Sequence, residues 1–114
     1  SSDIGTEMMV SSELGIIGHS IPDRYFLHQN YPNPFNPTTK ISYDLQEETN
    51  VEILIFDTMG RYVNTLVSDN QSAGHHSAFW NGTNKSGYSV SAGVYVYVIQ
   101  AEGFYEMKKM ILLK

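Results

Sequence analysis

The sequence predicts an all-β domain, an antiparallel sandwich of two sheets built from six to seven strands. No segment of even ten residues has the i, i+3, i+4, i+7 apolar spacing of an amphipathic helix. From residue 40 onward, apolar residues instead alternate with polar ones, which is the period of a strand with one wet face. Turn residues separate these segments at intervals of about 8 to 15 residues, a spacing that favours a sandwich over a closed barrel.

Six segments have strand composition: residues 40–45, 51–56, 62–67, 75–80, 94–99 and 104–113. The segments 51–56 and 94–99 are apolar at nearly every position, so both are expected to be central strands covered on both faces. In the last segment Tyr105, Met107, Ile111 and Leu113 fall on one face, and Phe104, Met110 and Leu112 fall on the other. We also expect a short bridge at residues 88–90.

A hairpin is predicted where the segment 51–56 is followed by 62–67. Gly60 supplies the positive φ that a tight return needs. Strict alternation would place Val63, Thr65 and Val67 on one face of the second strand. Between the sheets we expect three large aromatic side chains, Trp80, Tyr95 and Tyr97, because they lie in the most apolar strands.

Composition bounds the function. The chain has 114 residues and a net charge of −5, with 7 Lys and Arg against 12 Asp and Glu. This balance argues against a nucleic-acid partner, which would need a basic surface. The absence of cysteine excludes disulfides, a thiolate nucleophile and a thiolate metal site. No apolar run approaches the roughly 18 residues of a membrane span.

The predicted organisation is a head of residues 1–24 and a domain of residues 25–114. The head is rich in Ser and Gly without sustained periodicity, as in a linker or the tail of an upstream cargo domain. Residues 7–17 can add an edge strand or exchange with a second copy. The start at Ser1 has neither Met nor a signal sequence, so we expect a piece cut from a longer precursor.

Residues 25–39 contain three prolines, Pro32, Pro34 and Pro37. Proline holds the backbone extended and removes ladder donors, so this segment is expected to cross the surface or an edge of the fold. Its aromatic residues Tyr31 and Phe35 are expected to dock there.

Three clusters contain residue types found in chemical sites, and in each the sequence favours a structural role. His75 and His76 point to opposite faces of a strand, so they cannot share a metal from one side. Glu47 and Glu48 occupy a solvated turn rather than a glycosidase site. The loop 81–87 has oxygen ligands without a carboxylate, which favours an Asx turn over calcium. We find no catalytic constellation, and we expect neither metal nor cofactor.

Five pieces of the sequence are more specific together than alone: Asn30–Ile41, Ile55–Arg61, Trp80–Gly87, Gly93–Tyr97 and Lys108–Lys114. Their order resembles the type A C-terminal sorting domain of the type IX secretion system. That domain is similar to the immunoglobulin-like domain of flagellar hook-capping proteins. The resemblance covers about residues 27–114 and implies an immunoglobulin-like sandwich. Asn81 and Asn84 stand where relatives often carry Asp, which weakens a calcium role further.

The resemblance implies a cargo label rather than an enzyme, and it assigns residues by position. The terminal signal read by the secretion machinery is Lys109, Met110, Ile111, Leu112, Leu113 and Lys114. The remaining motif residues are Pro32, Asn33, Pro34, Phe35, Asn36, Pro37, Gly93 and Tyr95. The implied partners are an outer-membrane translocon, a sortase-like peptidase and an upstream cargo domain in the same precursor. The implied route passes through the periplasm of a Gram-negative bacterium to the medium or the cell surface.

A terminal strand with lysines at its ends can pair with another sheet edge, which supports docking or self-association. Two alternatives stay open. One is a structural or adhesive immunoglobulin-like module, which predicts that the intact gene continues beyond Lys114. The other is a carbohydrate-binding accessory domain of a hydrolase, which predicts an exposed row of aromatic side chains.

Overall fold

The computed structural model describes residues 21–114, and these residues form seven strands. The strands are β1 (Phe26–Leu27), β2 (Thr39–Leu45), β3 (Thr49–Asp57), β4 (Tyr62–Gln71), β5 (Gly74–Trp80), β6 (Gly93–Ala101) and β7 (Phe104–Leu112). Every predicted strand is present, and most extend one to four residues further than the sequence indicated. Within residues 21–114, no helix has the length and apolarity that a membrane crossing requires.

The strands are arranged in two antiparallel sheets. The smaller sheet has the order β1-β2-β5, and the larger one has the order β4-β3-β6-β7. The predicted sandwich is therefore confirmed, and so is the central position of β3 and β6. The register of β6 and β7 runs without interruption from Gly93 opposite Leu112 to Ala101 opposite Phe104. β7 is consequently a regular edge strand of the larger sheet.

The core lies between the sheets and contains the alternate apolar side chains of the strands. In β7 the alternation predicted from sequence is confirmed: Met110 and Leu112 are buried, whereas Tyr105, Met107 and Ile111 are exposed. Trp80, Tyr95 and Tyr97 all lie in the core, as expected. Their burial removes a large apolar area from water, which is the main stabilising contribution in a sandwich.

The β3–β4 hairpin turns where predicted, and Asp57 organises the turn. Gly60 adopts a φ of 82°. The Asp57 Oδ1 atom accepts hydrogen bonds from the backbone N–H groups of Met59 and Arg61, both at 2.9 Å. The Arg61 N–H bond, supported by the Arg61 guanidinium, lowers the pKa of the Asp57 carboxyl below its ordinary value. The carboxylate form therefore stabilises the turn.

The predicted facing of β4 is confirmed for Val63 and Val67, which both pack against the core, and is wrong for Thr65, which pairs with Leu54 on the outer face. Two register shifts interrupt the β3–β4 pairing, one between Ile53 and Leu54 and one between Ile55 and Phe56. The shifts leave Val63 and Leu66 as extra residues, and both pack against the core together with Val67. A bulge changes the face to which the following side chains point, so strict alternation fails here.

The head lies largely outside the described residues. The expected linker of residues 1–24 and the expected edge strand of residues 7–17 therefore remain predictions, as does the domain boundary between residues 24 and 25. The described chain begins beside the smaller sheet, where Ile21, Pro22, Phe26 and His28 line one shallow pocket with Asp44.

Candidate functional site: the proline segment and the end of β7

The proline segment, residues 31–37, runs along the edge of β7 that does not pair with β6. The Phe35 N–H donates to the Ile111 carbonyl at 2.9 Å, and the Leu113 N–H donates to the Phe35 carbonyl at 2.8 Å. These bonds form a parallel bridge between Phe35 and Leu112. The prediction that this segment crosses an edge of the fold is confirmed. The segment also joins the two sheets, because Tyr31 pairs with Lys40 of β2 through both backbone groups.

Side chains add two further links between this part of the chain and β7. The Asn33 Oδ1 atom accepts a hydrogen bond from the Ile111 N–H at 2.9 Å. The Gln29 Nε2 atom donates to the Lys109 carbonyl, also at 2.9 Å. The proline motif and the terminal signal, which the resemblance assigns separately, are therefore one structural unit. Sequence reasoning missed this contact because 78 residues separate Asn33 from Ile111.

Phe35 anchors the proline segment in the core. Its side chain is 1% exposed, and its ring centroid lies 5.7 Å from that of Trp80. The Tyr95 ring meets the Trp80 ring edge-on, with 5.2 Å between centroids. Aromatic contacts of this geometry stabilise beyond the area they bury. Tyr31 is different: it is 78% exposed, so the expectation that both aromatic residues dock is wrong for Tyr31.

The other motif residues lie on the surface of the proline segment or in the neighbouring strand β6. Pro32, Asn33, Pro34, Asn36 and Pro37 are exposed. Gly93 begins β6 opposite Leu112, and the Tyr95 hydroxyl donates to the Ser91 carbonyl at 2.6 Å. The three X-Pro bonds at Pro32, Pro34 and Pro37 are cis.

A buried polar network holds the chain just before the proline segment. The Asn30 N–H donates to the Tyr97 hydroxyl at 2.8 Å, and that hydroxyl donates to the His28 carbonyl at 2.7 Å. The Asn30 side-chain amide donates to the Thr39 hydroxyl and to the Pro32 carbonyl. Burial raises the pKa of Tyr97 to about 12, and its bond from Asn30 opposes the shift only in part. Tyr97 is therefore a neutral donor at physiological pH.

Residues 109–114, which the resemblance assigns as a signal, present two kinds of side chain. Met110 is fully buried and Leu112 is 1% exposed, so neither side chain is accessible in the folded domain. Lys109, Ile111, Leu113 and Lys114 are exposed. The folded end of the chain thus displays a short basic and apolar surface, which we call the terminal surface.

Part of the β7 edge expected to pair with another strand is already occupied, at Ile111 to Leu113. Asn33 and Phe35 already use both backbone groups of Ile111, and Phe35 uses the Leu113 N–H. A partner can contact residues 111–113 through side chains but cannot add a strand there unless the proline segment leaves.

The clusters weighed from sequence are structural. His75 contacts Asp44 on the exposed face of β5, whereas His76 stacks on Tyr43 on the other face. In the loop after Trp80, the Asn84 Oδ1 atom accepts bonds from the N–H groups of Ser86 and Tyr88, which confirms an Asx turn. Thr83 and Ser89 form the expected bridge.

The Glu47–Glu48 turn is exposed, as predicted. Trp80, Tyr95 and Tyr97, the aromatic residues of the most apolar strands, are buried and have no face to offer a saccharide.

Sequence reasoning missed a histidine pair that brackets one carboxylate. His28 Nε2 lies 3.1 Å from Asp44 Oδ2, and His75 Nδ1 lies 2.8 Å from Asp44 Oδ1. The β2–β5 register places Asp44 opposite His75, and β1 brings His28 from the other side. No local pattern in the sequence signals this cluster. Among residues 21–114, no three His, Asp or Glu side chains converge as metal ligands.

The fold and the edge-crossing segment define an immunoglobulin-like β-sandwich module. The family model described as the FlgD Ig-like domain matches residues 32–103, and this chain belongs to that family. No curated protein matches the chain.

Several solved structures are similar to this module. PorU from Porphyromonas gingivalis, solved as a latent dimer, matches with a TM-score of 0.62 and 24% identity over 78% of this chain. FlgD from P. aeruginosa matches with a TM-score of 0.53 and 28% identity over 65% of this chain and 57% of its own. PorZ from P. gingivalis matches with a TM-score of 0.53 and 20% identity over 77% of this chain. The module spans 9% of PorU and 11% of PorZ, so it corresponds to a small part of each.

Proposed function

We propose that this chain is a non-catalytic C-terminal sorting domain that directs an attached cargo protein across the outer membrane through the type IX secretion system. The proposal rests on the terminal residues 109–114 and on the proline motif. Its fold is similar to that of a part amounting to 11% of PorZ, which is described as an essential bacterial surface component of the type IX secretion system. The likeness to PorZ supports the fold of such a domain, and the motif residues carry the functional part.

The observation that carries the proposal is the way in which β7 displays its end. Met110 and Leu112 fix the strand in the core, and Asn33 and Phe35 close its backbone edge. The side chains left on the outside are those of the terminal surface, Lys109, Ile111, Leu113 and Lys114. Because the strand is held on both sides, these side chains are positioned before any partner binds, which reduces the entropy lost on recognition.

The recognition surface therefore consists of side chains rather than of a strand edge. We infer a receptor surface that combines carboxylates for the lysines with an apolar groove for Ile111 and Leu113. The proposed readers are the outer-membrane translocon and a sortase-like peptidase, and the cargo lies upstream in the same precursor. The proposed destination is the medium or the cell surface, reached through the periplasm.

The ionisable side chains of the module support a non-catalytic role. The carboxylate of Asp44 in β2 contacts His28, which follows β1, and His75 in β5, and the carboxylate of Asp57 closes a turn. Both carboxylates thus serve contacts between strands or within a turn. The hydroxyl of Tyr97 is likewise used in a buried structural network.

The experiment is an export assay in a Gram-negative host that has a type IX system. The 114-residue chain is fused behind a signal peptide and a fluorescent reporter, and the exported fraction is measured. One variant replaces Lys109, Ile111, Leu113 and Lys114 by Ser, which changes the terminal surface and leaves Met110 and Leu112 in place. The control replaces the exposed lysines Lys40 and Lys85 by Ser.

The terminal-surface variant is expected to keep its fold and to lose export, with the reporter retained in the periplasm. The Lys40 and Lys85 control is expected to export normally. Undiminished export of a folded terminal-surface variant would contradict the proposal. Melting curves of both variants separate a lost signal from a lost fold.

A structural immunoglobulin-like module is the second candidate, and the family match favours it. FlgD from P. aeruginosa shares 28% identity with this chain, and a structure of FlgD from Xanthomonas campestris is described in terms of hook capping. The two candidates make different predictions about the gene beyond Lys114. A reading frame that continues into a further domain supports the structural module, because the terminal surface would then be internal.

A further inference from the structure

The edge of β7 is divided into an occupied part and an open part. In an antiparallel pair, alternate residues of an edge strand direct both backbone groups away from the neighbouring strand. Ile111 directs both groups outward, because its N–H and C=O bond Asn33 and Phe35. With a period of two, Tyr105, Met107 and Lys109 are outward residues as well.

The open part comprises these three residues. Only the Lys109 carbonyl has a partner in this set, the Gln29 side chain. Within residues 21–114, the N–H and C=O groups of Tyr105 and Met107 and the N–H of Lys109 make no hydrogen bond. An edge of this kind is a template for a further strand.

We propose that the open edge of β7 pairs with the same edge of a second copy of this chain, antiparallel and around a two-fold axis at Met107. Tyr105 of each copy then lies opposite Lys109 of the other, and the two Met107 residues exchange both backbone bonds. The pairing joins two four-stranded sheets into one of eight strands. The inference does not rest on the proposed sorting function.

The charges next to Met107 select a second copy as the occupant. Glu106 and Lys108 flank the axis, lie on one face of the strand and form an ion pair of 3.7 Å within the chain. In the two-fold register, Glu106 of each copy lies opposite Lys108 of the other. Glu106 and Lys108 then form non-hydrogen-bonded pairs, the pairs in which side chains of adjacent antiparallel strands approach most closely. The charges of the strand are therefore complementary to those of an antiparallel second copy. The two-fold axis produces the contact between Glu106 and Lys108 twice.

In the same two-fold register, the exposed outer face of β7 makes apolar contacts with the second copy. Met107 is 54% exposed and Tyr105 is 58% exposed. Both line a groove of 480 Å³ with Val96, Val98 and Lys109. Across the axis, Met107 meets Met107, and the stem of Lys109 covers the ring of Tyr105 of the second copy.

The proline segment sets the length of this pairing. β7 of the second copy begins at Phe104, which lies opposite Met110 in the proposed register. The paired stretch therefore stops at Met110, one residue before Ile111, whose backbone groups already bond the proline segment. The other edge of the larger sheet is less suitable, because two bulges interrupt β4.

The test is a charge exchange on the complete 114-residue chain, followed by analytical ultracentrifugation from micromolar to millimolar concentration. The wild type is expected to show a reversible monomer–dimer equilibrium. Lys108→Glu places Glu opposite Glu twice, and Glu106→Lys places Lys opposite Lys twice. Each single variant is expected to raise the dimer dissociation constant about tenfold or more.

A mixture of the two single variants is the decisive measurement. In the mixed dimer every Glu again lies opposite a Lys, so heterodimers are expected to form where each variant alone is monomeric. The double variant Glu106→Lys with Lys108→Glu is expected to dimerise as the wild type does. Lys40→Glu, on the smaller sheet, is the matched control and is expected to leave the equilibrium unchanged.

Three results would overturn the proposal. One is a wild type that remains monomeric throughout the concentration range. Another is a mixture of folded single variants that forms no heterodimer. The third is a dimer that Lys40→Glu weakens as strongly as Lys108→Glu, since a general effect of net charge would then explain the loss.

Discussion

Single residues connect the chain entering the domain to the large sheet, and Tyr97 is the clearest example. Its hydroxyl accepts from the Asn30 N–H and donates to the His28 carbonyl, within a site where Asn30 is 2% exposed. A buried polar group without a partner costs about 1–3 kcal/mol. Tyr97 thus satisfies two backbone groups that would otherwise be buried without partners.

The raised pKa of Tyr97 predicts a loss of stability in alkali. In the unfolded chain a tyrosine ionises near its ordinary pKa of about 10, whereas the folded Tyr97 has a pKa of about 12. Between these values the unfolded state has released more protons, so the free energy of unfolding falls as the pH rises from about 10 towards 12. The full loss is about 2–3 kcal/mol once the pH exceeds about 12, and about 2 kcal/mol of it is expected by pH 11.5.

Urea melts at pH 9 and at pH 11.5 measure this loss, with Tyr97→Phe as the control. The variant is expected to be less stable at pH 9, because Asn30 and His28 lose a hydrogen-bond partner. It is also expected to lose less on going to alkali than the wild type does. Burial raises the pKa of Tyr43 too, so part of the alkaline effect remains in both proteins. Equal alkaline losses would contradict the assignment to Tyr97.

Trp80 is expected to be a major single contributor to the core. The indole is 1% exposed, contacts Phe35 and Tyr95, and donates its N–H to the Thr83 carbonyl at 2.8 Å. Trp80→Ala is expected to cost about 3–5 kcal/mol in denaturant melts, because it leaves a cavity between the sheets. Phe79→Ala, at the exposed neighbouring position, is the control and is expected to cost about 0.5 kcal/mol or less.

At the scale of elements, the contact between the proline segment and β7 combines backbone and side-chain bonds. Asn33→Ala removes the acceptor of the Ile111 N–H and leaves the bonds of Phe35 in place. The Ile111 amide is expected to exchange with solvent about 3- to 10-fold faster, as measured by NMR hydrogen exchange. The control is Asn36→Ala, at an exposed position that makes no hydrogen bond within the described part of the chain.

The loop after Trp80 packs on the end of β7 through Gly82. A Cβ atom at this position would lie 3.3 Å from the Leu112 Cδ2 atom and 3.5 Å from the Pro37 carbonyl. Gly82 and Gly60 both have positive φ, at 74° and 82°, but a Cβ at Gly60 meets open space.

Gly82→Ala is therefore expected to cost about 1 kcal/mol more than Gly60→Ala in thermal or urea melts. The strain of a positive φ is common to both variants, so the difference measures the contact with Leu112 and Pro37. Equal costs would mean that the loop yields without disturbing β7.

At the scale of the whole molecule, the end of β7 is both a surface and a part of the core. Deletion of residues 110–114 removes Met110 and Leu112, each worth about 2–5 kcal/mol. The sum is comparable to the total stability of about 5–15 kcal/mol that a small domain has. The truncated chain is expected to lose its near-UV circular dichroism and its cooperative melt. A truncated chain that melts like the wild type would show that β6 and the proline segment hold the core without this end.

This dual role of β7 constrains the design of an export experiment. If the proposed sorting function holds, loss of export on truncation would result from unfolding as well as from a lost signal. The terminal-surface variant separates the two, because its four substitutions lie at exposed side chains and leave the buried ones unchanged.

The sequence by itself determined the all-β class, the order of the six long strands, the central place of β3 and β6, and Trp80, Tyr95 and Tyr97 as core. These features arise from hydrophobic period and turn chemistry, which act over a few neighbouring residues. Only the tertiary structure decided that Asn33 and Phe35 close the edge at Ile111, that His28 and His75 share Asp44, and that bulges turn β4. Such contacts depend on register between strands distant in the chain, because alternation specifies the face of a side chain and not its partner across the sheet.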